Sequence, residues 1–273
     1  MKQSFRVLLG ACALLGFSLS SHATIVTQWD ATVSATWTNV APSSGITISN
    51  SGKVLKWGTN DGSGQSSLKI TNPPKHENVT TYVGGGTAPG GYIAPGGSLT
   101  HHNVPITGTS LTGATLHDTL TLKALDPSSN GPGALPALSF DIAFLEAPNS
   151  TPCAVSTSPT PCNDIFVLLG EFLNQNFNYL GQDYYINAFP TSGGVLSTLS
   201  DSACAAVHAV NSAAPATQCF GFTTPEGKDT TLAFGFTIST LPLSLSVPEP
   251  RTIALFGLAL LGLAITRRRS AMR

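Results

Sequence analysis

The stretch LTHHNVPITG carries His101 and His102 side by side. Histidine is the side chain that most readily binds a metal or moves a proton near neutral pH. On a strand, adjacent side chains point to opposite faces, so this pair does not readily chelate one ion. His76, His117 and His208 would reach either of them only through the fold. The plainer reading is a strand entry, with Pro105 restraining the backbone and Asn103 bonding to it. Catalytic proton transfer would need a carboxylate beside a histidine. Asp118 is the candidate, because it interrupts an otherwise apolar face in TLHDTLTLKAL. A buried Asp bonded to backbone amides accounts for it more simply.

Other chemistry is harder to find. The chain has no G-x-S-x-G and no H-E-x-x-H, the signatures of a hydrolase nucleophile and of a zinc protease. In GFTTPEGKD, Gly221 lies one residue too far from Gly227-Lys228 for a phosphate loop, and Asp229 stands where Ser or Thr is required. A hairpin turn is the better reading. No enzyme activity, cofactor or metal is expected. Of the five cysteines, Cys12 lies near the N-terminus, leaving Cys153, Cys162, Cys204 and Cys219. An even number in an exported chain points to disulfides. Three connectivities are open, and neighbour pairing is the simplest. Neither spacing is the C-x-x-C of a zinc knuckle.

The elements that must position these residues are strands. Period-two alternation aligns Val33, Ala35 and Trp37, then Leu116, Leu120 and Leu122. It recurs at Leu138, Phe140, Ile142 and Phe144, and again at Leu232, Phe234, Phe236 and Ile238. Such alternation is the mark of half-buried antiparallel strands. DIFVLLGEF is continuously apolar and suits a central strand covered on both faces. Trp37 and Trp57 fall on strand faces and are expected in the core rather than stacked on a sugar. Asn60-Asp61-Gly62 and Asn130-Gly131-Pro132 read as turns, and GGGTAPGGYIAPGG (84–97) as a long surface loop. One helix is expected, capped by Ser200, stopped near Asn211, with Ala203, Val207 and Val210 on one side. The fold class is all-β, an antiparallel, jelly-roll-like β-sandwich flanked by an N-terminal signal helix and a C-terminal hydrophobic helix.

Charge separates the ends from the body. Residues 24–250 hold six Lys, no Arg and all 14 acidic residues, a formal charge of 6 − 14 = −8. Such a body lacks the basic footprint of nucleic-acid binding. The N-terminus has Lys2 and Arg6, an apolar stretch, then Ser21-His22-Ala23. That is a signal peptide (1–23) cleaved between Ala23 and Thr24. A lipoprotein signal at Cys12 would leave almost no apolar region before it. At the other end, Ile253 to Ile265 is uncharged and apolar all round, and Arg267, Arg268 and Arg269 follow. The run is short for a permanent span, and its arginines predict a cytoplasmic end.

Pro248-Glu249-Pro250, Thr252, the apolar run and Arg267 to Arg269 together resemble the PEP-CTERM sorting signal of Gram-negative bacteria. The resemblance implies an inner-membrane-anchored precursor recognised by an exosortase, then a cell-surface or extracellular-matrix destination linked to exopolysaccharide and biofilm. The body, 24–245, resembles the THxN family of PEP-CTERM proteins. Thr100-His101-His102-Asn103 matches the naming motif and continues through Pro105-Ile106-Thr107-Gly108. Trp57-Gly58 and Gly64-Gln65-Ser66 resemble that family's upstream elements. The domain reading is therefore signal peptide, THxN-type body, and a sorting signal over 246–273. Three functions follow in order: a non-enzymatic surface or matrix protein, a glycan-binding module, and a secreted metal-dependent hydrolase using His101 or His102.

Overall fold

A computed structural model describes residues 24–59, 64–71, 77–133, 138–147, 151–155, 158, 160, 162–170, 173–191 and 196–244, without the side chains of 129–140. The strands are β1 (Gln28–Ala41), β2 (Thr47–Ser49), β3 (Val54–Trp57), β4 (Ser66–Thr71), β5 (Glu77–Thr80), β6 (Ala94–Asn103), β7 (Gly113–Asp126) and β8 (Ser128–Gly133), followed by β9 (Leu138–Leu145), β10 (Asp164–Leu169), β11 (Gln175–Tyr179), β12 (Gln182–Pro190), β13 (Ser197–Thr198), β14 (Phe220–Thr224) and β15 (Lys228–Ser239). One α-helix, α1 (Asp201–Val210), precedes β14. The strands form two antiparallel sheets. One runs β13-β14-β10-β9-β7-β1-β5 with β8 beside β7, and the other runs β11-β12-β15-β6-β4-β3-β2. The expected antiparallel sandwich is present, with more strands than the eight of a simple jelly roll. The signal and tail helices lie outside the described residues.

The predicted alternations supply the interior between the sheets. At one end Trp29, Leu120, Leu122 and Val79 of the first sheet meet Phe177, Tyr184, Ile186, Phe236 and Ile238 of the second. Trp29 is fully buried and makes edge contacts with Phe177, Tyr179 and Tyr184. At the other end Trp37, Ile142, Phe144, Phe166 and Phe222 face Leu55, Trp57, Leu68, Leu99 and Leu232. Every tryptophan is buried, which rules out a tryptophan platform for sugars. Each truncation of such a ring to Ala would cost about 3–5 kcal/mol.

The continuous apolar run behaves as expected. β10 lies between β14 and β9, and both of its faces are covered. Its outer face, with Ala143 of β9, packs against Ala203, Cys204 and Val207 of α1. Ser200 caps that helix, its hydroxyl accepting from the Ala203 amide. Val210, expected on the packed side, is exposed, and Cys204 takes the inner position. Both disulfides join sequence neighbours, Cys153–Cys162 and Cys204–Cys219. The second bridge ties α1 to the start of β14.

Three turn expectations are corrected. Ala94 to Gly97 belong to β6 rather than to a surface loop, and a register shift beside Gly235 absorbs the irregular backbone. Asn130-Gly131-Pro132 lies within β8, which among the described residues pairs with β7 alone, an edge position that tolerates proline. GFTTPEGKD is not a hairpin, because β14 and β15 belong to different sheets, and its turn is a corner between them. Gly221, just before that corner, is required by close approach: a Cβ there would lie 1.9 Å from the Phe166 carbonyl oxygen.

Asp118 also departs from expectation. It has no backbone amide partner. It lines an apolar cavity of about 60 Å³ between the sheets, among Val33, Leu116, Leu120 and Phe236. Burial pushes its carboxyl up to about 7 from an ordinary 3.8. The folded value exceeds the unfolded one, so the cost of burial is absent below about pH 4, grows through pH 4–7 and is complete above. Asp118→Asn should therefore stabilise the protein by up to about 4 kcal/mol above pH 7 and leave it unchanged near pH 4. Urea unfolding of both forms across that range measures the difference.

Candidate functional site

The adjacent histidines divide as strand geometry requires. His102 faces solvent, and its Nδ1 lies 2.6 Å from Asp229 Oδ1. An exposed pair of this kind contributes little. Thr100, likewise outward, shares a 2.9 Å hydroxyl contact with Thr231. His101 and Asn103 point inward, with exposures of 1% and 0%. His101 stacks on Trp57, with ring centroids 5.5 Å apart and planes 14° apart. The rings of Phe144 and Phe166 meet it edge-on. Its Nδ1 pairs with the Thr224 hydroxyl at 2.8 Å. Burial, reinforced by the charge of His102, pulls its imidazole down to about 3, so His101 is neutral at physiological pH.

The Trp57-Gly58 and Gln65-Ser66 segments lie at this same end of the sandwich. Gly58 follows Trp57 with φ +84°, and a Cβ on it would sit 2.6 Å from that of Ile106. The Gln65 amide donates to the Gly58 carbonyl at 2.8 Å. Ser66 donates to the Val104 carbonyl at 3.0 Å. The Thr59 amide donates to the Thr107 carbonyl at 2.8 Å. The segments around residues 57, 65 and 103 thus form one knot of short-range bonds, and His101 and Asn103 stand behind it.

Facing them are three carboxylates that sequence reasoning did not single out. Asp164 opens β10 and Glu146 follows β9, both in the first sheet. Glu226 lies in the corner between β14 and β15. One oxygen from each falls within 4.8 Å of the others. Asp164 is fully buried; its Oδ1 accepts from the Ala147 amide at 2.8 Å, and its Oδ2 lies 4.0 Å from His101 Nε2. Glu146 Oε2 accepts from the Trp57 indole at 2.8 Å. Among the described residues, Asp164 Oδ2, Glu146 Oε1, both Glu226 oxygens, His101 Nε2 and Asn103 Oδ1 have no hydrogen-bond partner. Burial first, then the neighbouring carboxylates, holds Asp164 and Glu146 above their ordinary range. Burial also raises Glu226. Asp118, the candidate for a carboxylate near a histidine, lines the apolar cavity instead, and it is Asp164 that stands beside His101. The signal that could have found the cluster was an acidic residue at the end of each apolar strand run: Glu146 after LSFDIAFL and Asp164 before IFVLL.

At the C-terminal side the chain stays fixed up to the edge of the described residues. Beyond β15, the Thr240 amide donates to the Tyr82 carbonyl at 3.0 Å, and the Ser244 amide to the Gly86 carbonyl at 3.2 Å. Asn174 clamps Leu243 twice, accepting from its amide at 2.7 Å and donating to its carbonyl at 3.0 Å. The stretch from Thr240 to Ser244 is therefore strapped to the body. Pro248, Glu249, Pro250, Arg267, Arg268, Arg269 and the residue before the cleavage point, Ala23, lie outside the described residues. Thr24 begins them. Val26, just beyond, is buried and donates its amide to Tyr184 Oη at 2.7 Å.

Immediately after the strap, residues 246–269 match the PEP-CTERM protein-sorting motif. The tail is a PEP-CTERM sorting signal. It carries export and exosortase-type sorting, through a membrane-anchored precursor to the surface. The match covers the tail and not the THxN-like body. No curated protein matches the chain significantly. Among the described residues, no helix is long and apolar enough to cross a membrane; the apolar run of the motif lies beyond them.

Proposed function

We propose that this is a non-enzymatic surface or extracellular-matrix protein of a Gram-negative bacterium, delivered by an exosortase and associated with exopolysaccharide or biofilm. The observation that carries this reading is the order of the parts. A disulfide-bonded β-body is strapped down to Ser244, and the sorting motif begins at residue 246. Removal of the tail would therefore leave the body intact. The acidic, arginine-free body suits a soluble exported particle. Its disulfides suit an oxidising compartment. Deleting residues 248–273 should strand or misroute the protein while leaving its disulfides formed. Fractionation of the native host measures this, and unchanged location and processing would overturn the sorting claim.

A second reading, binding of a glycan by the body, has one surface in its favour. Tyr82 and Tyr92 pack against each other with ring centroids 5.2 Å apart. Val83 and Leu241 are exposed nearby in sequence and at the tail end of the body. Aromatic faces with a polar hydroxyl at the tip suit sugar rings. This reading predicts saturable binding of the host's own polysaccharide, weakened by Tyr92→Ala. A flat calorimetric titration would remove it.

A further inference from the structure

The three carboxylates sit near the corner that joins the sheets, with one oxygen of each within 4.8 Å of the others. Charge must be neutralised there by protons or by a cation, since like charges this close cannot all ionise alone. A second observation points the same way. His101 is 1% exposed, its Nε2 has no partner, and that atom is turned towards Asp164 Oδ2 at 4.0 Å. Carboxylates that ligate a metal are held in place by outer polar groups, and His101 Nε2 is a buried polar atom standing beside Asp164 Oδ2 with no other partner among the described residues.

We propose that Glu146 Oε1, Asp164 Oδ2 and the Glu226 carboxylate bind one divalent cation of the calcium class. The donors are all oxygen, which selects a hard cation over zinc or copper. Oxygens up to 4.8 Å apart suit calcium, whose ligands stand about 2.3–2.6 Å from the ion. Magnesium, at about 2.0–2.1 Å, would demand a tighter and more regular cage. Asp164 opens β10 and Glu146 directly follows β9 of the first sheet, and Glu226 lies in the corner leading into the second. The ion would therefore cross-link the end of the sandwich where β9 and β10 meet that corner. The site goes beyond sorting and beyond the expectation of no metal. It also owes nothing to chelation by the two adjacent histidines, because His102 faces solvent.

The test uses the full chain in mild detergent, disulfides intact, stripped with EDTA and dialysed at pH 7.5. Calorimetry with CaCl₂ should give one ion per chain. Melting should rise by roughly 5 °C at about 10 mM CaCl₂, and less with MgCl₂. Glu226→Gln, which keeps the side chain's size, should weaken binding at least about tenfold without lowering the melting point of the metal-free protein. If that variant does not fold, Glu146→Gln gives the same readout, because its amide oxygen still accepts from Trp57. No binding and no shift up to about 10 mM CaCl₂ would overturn the proposal and leave the cluster to shared protons. An equal shift in the folded variant would overturn it too, by putting the calcium elsewhere.

Discussion

Closure of two sheets over one apolar interior is the constraint on which the rest of this structure depends. The sheets bury most of their described large side chains, and among the described residues one end encloses a group of acids with them. There Asp164, Glu146 and Glu226 meet His101, Asn103 and Trp57. Enclosing these groups is costly unless each is paired. The partial pairing observed, with single oxygens bonded and their twins left free, marks this end as a place where something besides packing is at stake. His101 is held neutral there by the same burial. It serves as a ring stacked on Trp57 and a partner of the Thr224 hydroxyl.

The inward members of the motif and its outward members have separate work. Thr100 and His102 decorate the solvent face of β6, where substitution changes little. His101 and Asn103 close the interior, and the Trp57-Gly58 and Gln65-Ser66 segments brace the loop that follows them. Short stretches far apart in sequence thus look like separate motifs and are one structural unit. Their common surroundings are the carboxylates, which come from β9, β10 and the corner before β15.

Much of the fold was legible in the sequence because period-two alternation is a direct consequence of a sheet with one buried face. The faces bearing Val33, Leu120 and Leu232 follow from it. So does the doubly covered strand at DIFVLL, and so does the Ser200 cap. What alternation cannot carry is which sheet a strand joins. GFTTPEGKD has hairpin chemistry yet turns between sheets, and the Pro-Gly-rich residues 94–97 pair as a strand because Gly235 lets the backbone approach. The site was half legible. Opposite facing of His101 and His102 is local geometry, whereas their acidic neighbours arrive through non-local pairing. Asp118 misled because an acid on an apolar stripe reads the same whether it faces a cavity or a histidine. The tail was legible as a whole because its signal is linear and needs no fold.

The separation of body and tail gives the protein its logic. Every bond that orders the C-terminal strap, from Tyr82 to Asn174, is made before the sorting motif begins, so the body loses no described contact when the motif is removed. The most direct measurement is the intact mass, without reduction, of the protein recovered from its native host. A chain that starts at Thr24, ends near Pro250 and is four hydrogens lighter than its thiol form is the predicted result. A mass that retains residues 251–273 in the surface-located protein would contradict it, and the tail would then be a standing membrane anchor.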